Sequence, residues 1–204
     1  MNPDAGLRER KKAKTRAELT EAALRQFTER GFDETTVEDI VGACDVSPRT
    51  FFRYFDSKED VVIGFYDDLG AELVELLAGR PPDEAPFAAA RAAFESFADI
   101  YQERRNRVCA VSQLAYETPP IRARLLDKHA RWENGLAREL ARRMQTDPET
   151  DPRPRLIAAV SLAAFSTAVR GWVADGGRGE LSPLVSANLR AVENGLDRTS
   201  VPSA

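Results

Sequence analysis

The sequence has little of what enzymes, secreted scaffolds and membrane proteins are built on. Its two cysteines, Cys44 and Cys109, stand far apart and without metal-ligand spacing. That excludes a disulfide framework and a zinc cluster and suits a reduced, cytoplasmic chain. There is one histidine, His129. The one glycine-rich run, Gly176-Gly177-Arg178-Gly179, lacks the order of a phosphate-cradling loop and reads as a linker. With no nucleophile motif and no metal-ligand cluster, no catalytic residue, metal or cofactor is assigned, and an enzyme is not expected. The N-terminus is charged with no apolar core behind it, so it does not read as a signal peptide. The longest uncharged run, Leu156 to Val169, has fourteen residues, short of the ~20 needed to span a bilayer, so no membrane partner is expected.

What is present is a chain of 204 residues with 43% hydrophobic content, enough to bury a real core. Its net charge of -4 argues against nonspecific coating of nucleic acid, but the charge is unevenly placed. Between Arg8 and Arg16 six basic residues (Arg8, Arg10, Lys11, Lys12, Lys14, Arg16) face one acid, Glu9. Directly before the segment described next, this run reads as a phosphate-seeking or minor-groove arm.

The segment from Thr36 to Asp60 carries the densest information. A first helix is expected from about Leu7 to Arg30, with Leu19, Ala22, Ala23 and Phe27 on its buried stripe and Gly31 ending it. Thr36 with Asp39 forms a capping-box pattern for a short second helix, whose Val37, Ile40, Val41 and Cys44 share a face. Asp45-Val46 makes the turn, Ser47 caps a third helix and Pro48 takes its first position. In that third helix, Pro48 to Phe55, Phe51 and Phe55 point inward by their spacing of four. Arg49 and Arg53, also four apart, therefore face out, flanked by Thr50, Phe52 and Tyr54. Such a strip is poor core and good DNA-reading chemistry. Arginine can donate two bonds to guanine O6 and N7, and the hydroxyls of Thr50 and Tyr54 can donate to phosphates. Ser57 with Asp60 caps a fourth helix, and Lys58 in its first turn is positioned as a phosphate clamp. The layout is that of a helix-turn-helix.

The segment resembles the DNA-binding domain of the TetR family of bacterial transcriptional regulators. The likeness covers about residues 12–72. It rests on Ala23 and Phe27, Gly31-Phe32, Thr35-Thr36-Val37, Ile40, Val46-Ser47, Thr50-Phe51, Tyr54-Phe55 and Ser57-Lys58-Glu59. The family often has tyrosine where this chain has Phe52, which removes one hydroxyl and leaves a ring that can touch a thymine methyl or simply pack. The candidate DNA-contacting set is Arg8, Lys11, Lys12, Thr36, Pro48, Arg49, Thr50, Phe52, Arg53, Tyr54 and Lys58.

From Ser57 onward the pattern is helical. One helix closes near Gly79. A second carries Phe87, Ala90, Phe94, Phe97 and Tyr101, and a shorter one runs from Val108 to Glu117. A long one from Pro120 to Met144 bears the stripe Ile121, Leu125, His129, Trp132, Leu136 and Leu140. His129 is either a hydrogen-bonded core or interface histidine or a group that orients a ligand. After a Pro/Asp linker, a helix ending near Ala174 lacks charge for so long that it must be covered on nearly all sides. The last helix spans about Pro183 to Leu196.

The resemblance implies an all-α fold in two domains. Residues 1–56 would form a three-helix DNA-binding bundle with its basic arm, and residues 57–204 a helical ligand-binding and dimerisation bundle. It implies a homodimer through the last two long helices and a small-molecule pocket, for which Phe65, Phe94, Phe97, Tyr101, His129, Trp132, Phe165 and Trp172 are candidates. The layout around Glu117-Thr118-Pro119-Pro120 also resembles a TetR subgroup with acyl-CoA-like ligands, in which Arg104, Arg105 and Arg107 would meet phosphates. The function implied is a DNA-binding regulator, a repressor released by a small hydrophobic or acyl-type effector. The alternative is a constitutive DNA-binding or protein-interaction dimer with no ligand pocket.

Overall fold

The computed structural model describes residues 3–195; the side chains of residues 3–9, Phe65, Asp67 and Asp68 lie outside the described set. Ten helices connected by turns make up the described residues: α1 (Pro3–Arg30), α2 (Val37–Gly42), α3 (Pro48–Phe52), α4 (Lys58–Ile63), α5 (Phe65–Ala78), α6 (Pro86–Glu103), α7 (Arg105–Glu117), α8 (Pro119–Met144), α9 (Arg153–Ala174) and α10 (Leu181–Glu193). They pack into two compact units, one of residues up to Tyr66 together with Ala110–Leu125, the other of Asp67–Cys109 together with Leu126 onward.

In the first unit the local signals act as the sequence suggests. Gly31 takes φ 87°, and its amide bonds the Phe27 carbonyl at 3.0 Å, closing α1. Thr36 accepts from the Asp39 amide at 3.1 Å, while the Asp39 carboxylate accepts from the Thr36 amide at 2.9 Å, a complete capping box. The bond that the Thr36 hydroxyl donates to the Asp39 carboxylate, together with that from the Thr36 amide, holds this carboxyl below the usual carboxylate range. Ser47 accepts from the Thr50 amide at 3.2 Å with Pro48 beside it, and Ser57 accepts from the Asp60 amide at 3.2 Å. Asp45 makes the turn at φ 53°, a left-handed conformation that aspartate tolerates. The core is Leu19, Ala22, Ala23, Phe27, Ile40, Phe51, Phe55 and Val61, all at most 4% exposed. Cys44, read as an inward residue of α2, is half-buried, with its sulfur 3.5 Å from the Glu18 carbonyl.

Three boundaries differ from the sequence pattern. The helix expected from Ser57 to Gly79 breaks in two at Gly64, whose carbonyl accepts from the Arg16 guanidinium at 3.1 Å. A β-carbon there would stand 2.9 Å from that guanidinium, so a larger residue would make the Arg16 side chain shift. The helix expected from Val108 begins at Arg105, separated from α6 by Arg104 alone. Regular α3 ends at Phe52, and the chain to Phe55 continues as a hydrogen-bonded turn. The expected end of the last helix, Leu196, lies outside the described residues.

In the second unit α6 lies against α9 and α10. Phe94, Phe97, Tyr101 and Phe165 interlock with ring centroids 5.1 to 5.3 Å apart, and Trp132 meets Phe97 edge-on at 5.6 Å. The Trp172 indole donates to the Gly179 carbonyl at 3.2 Å, and Leu181 donates its amide to Gln102 at 2.7 Å, which fixes the glycine-rich α9–α10 connection. Gly177 is required there on two counts: φ is 69°, and a β-carbon would meet Arg105 at 2.9 Å and the Cys109 sulfur at 3.0 Å. By length and composition α9 is apolar enough to cross a bilayer. It buries one face, with Ala158, Leu162, Phe165 and Trp172 inward, and leaves Leu156, Ala163 and Thr167 exposed along the other.

Candidate nucleic-acid interface and ligand groove

The outer face of α3 is built from the inside. Phe51 is 0% and Phe55 4% exposed, so the intervening residues are driven outward by helical geometry. Arg49, Phe52 and Arg53 are exposed, and Thr50 and Tyr54 are half-buried at their flanks. Arg53 is held in place: its guanidinium stacks over the Tyr54 ring at 4.9 Å and donates to the Tyr54 hydroxyl at 3.2 Å. Its remaining donors stay available for a guanine edge or a phosphate. Pro48 is exposed at the head of the helix. The Thr50 hydroxyl lies 3.1 Å from that of Ser47, within the cap.

Other candidates are engaged in the fold. The Thr36 hydroxyl donates to the Asp39 carboxylate at 2.6 Å while accepting from the Asp39 amide. Its side chain therefore serves the cap of α2. Lys58 donates to the carbonyls of Phe32 and Thr35 at 2.7 and 3.1 Å, with its ammonium 4.2 Å from the Phe32 ring centroid. Two of its three donors thus brace the loop between α1 and α2, a different use from a phosphate clamp. Lys58→Met should therefore lower stability to denaturant by about 2 kcal/mol, the worth of hydrogen bonds to a charged group. A clamp would instead lower the salt slope of DNA binding by ~1 and leave stability alone.

The basic arm is helical. No glycine or proline interrupts the chain from Leu7 to Arg30, and α1 runs unbroken through it. Lys11 and Lys12 are exposed on this helix, Arg16 is used to hold Gly64, and the Arg8 side chain lies outside the described residues. A helical bank of lysines suits the phosphate-seeking use of the arm and not insertion as an extended strand in the minor groove.

The candidate ligand residues divide. Phe94, Phe97, Tyr101, Phe165 and Trp172 are at most 2% exposed and packed against one another or hydrogen-bonded into a loop. Half-buried His129 lies with its ring tilted against that of Trp132, centroids 5.4 Å apart, and burial pushes its pKa below the ordinary imidazole value. The Phe65 side chain lies outside the described residues. Of the candidates whose side chains are described, Trp132 lines a groove in this unit, a cleft of about 650 Å³ between α5 and α8. Its apolar floor is Gly70, Ala71, Val74, Trp132 and Gly135; Arg131, Arg138 and Arg142 are exposed at its edge, Lys128 is buried, and Glu75 and Glu139 complete the lining. Trp132 lies so close on Gly70 that a β-carbon there would meet the indole at 2.3 Å. Glu139 binds Arg142 through two bonds of 2.6 and 2.8 Å. The signal for this groove was in the sequence as a basic stripe on α8, at 128, 131, 138 and 142 in steps of helical turns, beside two facing glycines. Arg104 and Arg105, expected to meet phosphates, are otherwise engaged: Arg104 forms a two-bond pair with Glu72, and Arg105 donates to the Gly176 carbonyl. Among the described residues no group of three or more histidine, cysteine or acidic side chains could hold a metal ion. Burial raises the pKa of both thiols, which leaves them weak nucleophiles.

Comparison with known proteins bears on both halves. A family model described as bacterial regulatory proteins of the tetR family matches residues 19–64. The MftR C-terminal domain model matches residues 84–197. The HTH-type transcriptional regulator TcmR of Streptomyces glaucescens is 35% identical over 173 residues, covering 82% of this chain and 76% of TcmR. The mycofactocin biosynthesis transcriptional regulator MftR of Mycobacterium tuberculosis is 28% identical over 189 residues, covering 93% and 94%. Among solved structures, FadR of Thermus thermophilus, a transcriptional repressor crystallised with lauroyl-CoA, superposes with a TM-score of 0.55 at 24% identity. That superposition covers 93% of this chain and 98% of FadR.

Proposed function

The chain belongs to the TetR family of bacterial regulatory proteins, and on that footing we propose that it works as a homodimeric repressor released from its operator by an amphipathic acyl-type effector. It is a DNA-binding transcriptional regulator with a helix-turn-helix, and its relatives are regulators and not enzymes. The observation that carries the reading is the outer strip of α3, where two exposed arginines flank an exposed ring over a fully buried Phe51. Residues 1–56 are the reading half of the chain and 57–204 the sensing and pairing half. Pairing runs through the exposed faces of α9 and α10, so that two copies of α3 meet half-sites about one helical turn apart, ~34–36 Å. Acting on operator DNA, it works in the cytoplasm.

The effector site in this reading is the α5–α8 groove. Its apolar floor suits an aliphatic chain, and exposed Arg131 and Arg138 at its edge suit phosphate. FadR of Thermus thermophilus, of like fold, was crystallised with lauroyl-CoA, which makes an acyl-CoA the first ligand to try. Lauroyl-CoA or palmitoyl-CoA should release the purified protein from its operator in an anisotropy titration. Either should raise stability by ~2.7 kcal/mol at a hundredfold excess over Kd. Arg131→Glu/Arg138→Glu should keep operator binding and lose both responses. A second reading, a constitutive DNA-binding dimer, is favoured by the solid packing of the Phe94–Phe97–Tyr101–Phe165 cluster. Absence of any thermal shift with either thioester would select it.

A further inference from the structure

Phe52 is the feature of the α3 face that phosphate and guanine contacts leave unexplained. It is 55% exposed, although Phe51 and Phe55 beside it are buried. Its ring meets Phe51 edge-on, with centroids 5.3 Å apart and planes at 81°, so it stands fixed on the surface. It lies one turn after Arg49 and directly before Arg53, both exposed. A large apolar ring held between two exposed guanidinium groups gains from an apolar surface that arrives together with negative charge. The DNA major groove offers one such feature at a base edge, the C5-methyl group of thymine. We propose that Phe52 is a specificity-determining residue that selects a thymine in each half-site by packing on its methyl group. The inference rests on α3 being the reading helix, as argued above.

The test uses the full-length protein and a duplex selected by it from a random library. Each thymine is replaced in turn by deoxyuridine, which removes the methyl group and leaves base pairing intact. At one symmetric thymine per half-site, the change should weaken binding by roughly fourfold, the worth of one methyl group withdrawn from water, and by about fifteenfold when both half-sites carry it. Phe52→Ala should bind the thymine and deoxyuridine duplexes alike, and Phe52→Gln provides the same readout if the alanine variant loosens Phe51. Because each variant is compared with itself on two duplexes, a loss of stability does not mimic the result. If no thymine is deoxyuridine-sensitive, or if the sensitivity survives in both variants, the proposal falls. Arg49→Ala, run in parallel, separates the two readings. If it weakens binding while the thymine preference ignores Phe52, only the Phe52 assignment fails. If it and the Phe52 variants all bind at full strength, α3 is not the reading helix.

Discussion

Arg49→Ala/Arg53→Ala should abolish specific operator binding while leaving the protein folded and dimeric. Each bidentate arginine–guanine contact discriminates by ~1–3 kcal/mol, and a dimer on two half-sites loses it twice per residue. Even at the lower end, four such losses sum to ~4 kcal/mol, a fall of nearly a thousandfold. The structure gives Arg53 a particular claim to this role. Its stack on Tyr54 and the bond to the Tyr54 hydroxyl restrict its rotamers before DNA arrives, which lowers the entropy lost on docking. Neither arginine carries the core: Arg49 and Arg53 are exposed, and the packing beneath them is Phe51 and Phe55. The variant should therefore melt within about 0.5 kcal/mol of the parent, as surface substitutions do. What remains should be weak, salt-sensitive, sequence-blind binding through Lys11, Lys12 and the rest of the basic helix. Operator affinity at the parental level would mean that another element reads the bases.

The helix-turn-helix was legible in the sequence because its determinants are local. The Thr36–Asp39 box, the Ser47 cap with Pro48, and the i to i+4 pair Phe51 and Phe55 each act within a few residues, so spacing alone places them. Lys58 was not legible in this way. Its partners, the carbonyls of Phe32 and Thr35, lie 26 and 23 residues back, and nothing in a lysine's neighbours announces which carbonyls it will meet. The bond that the Gly64 carbonyl accepts likewise comes from Arg16, 48 residues away. Aromatic density does not by itself separate two uses. Phe94, Phe97, Tyr101 and Phe165 are apolar enough to line a cavity or to fill one, and in the structure their rings interlock. The groove forms where side chains are absent, at Gly70 and Gly135, and is edged by the α8 arginines that a reading for apolar stripes treats as the solvated side.

Ala163→Glu should convert the protein to monomers. Leu156, Ala163 and Thr167 lie along the side of α9 turned away from Phe165 and Trp172, and Leu184 and Ala187 extend the exposed surface onto α10. Leu156 is 61% and Leu184 44% exposed, apolar surface that a four-helix pairing of α9 and α10 with their copies would cover. In an isologous interface each substitution enters twice, so one change buries two carboxylates without partners. At roughly 3 kcal/mol or more for each uncompensated charge, the dimer should weaken about ten-thousandfold or more, which sedimentation equilibrium resolves. Ala163 is exposed in the single chain, so the folded protomer should keep its helicity and its melting behaviour at low concentration. Operator affinity should collapse with the dimer, because two half-sites joined through one interface bind with an effective concentration that separate monomers lack. An Ala163→Glu protein that still sediments as a dimer would place the interface off α9. A monomer that still binds its operator at full strength would show that pairing is not what brings two reading helices to the DNA.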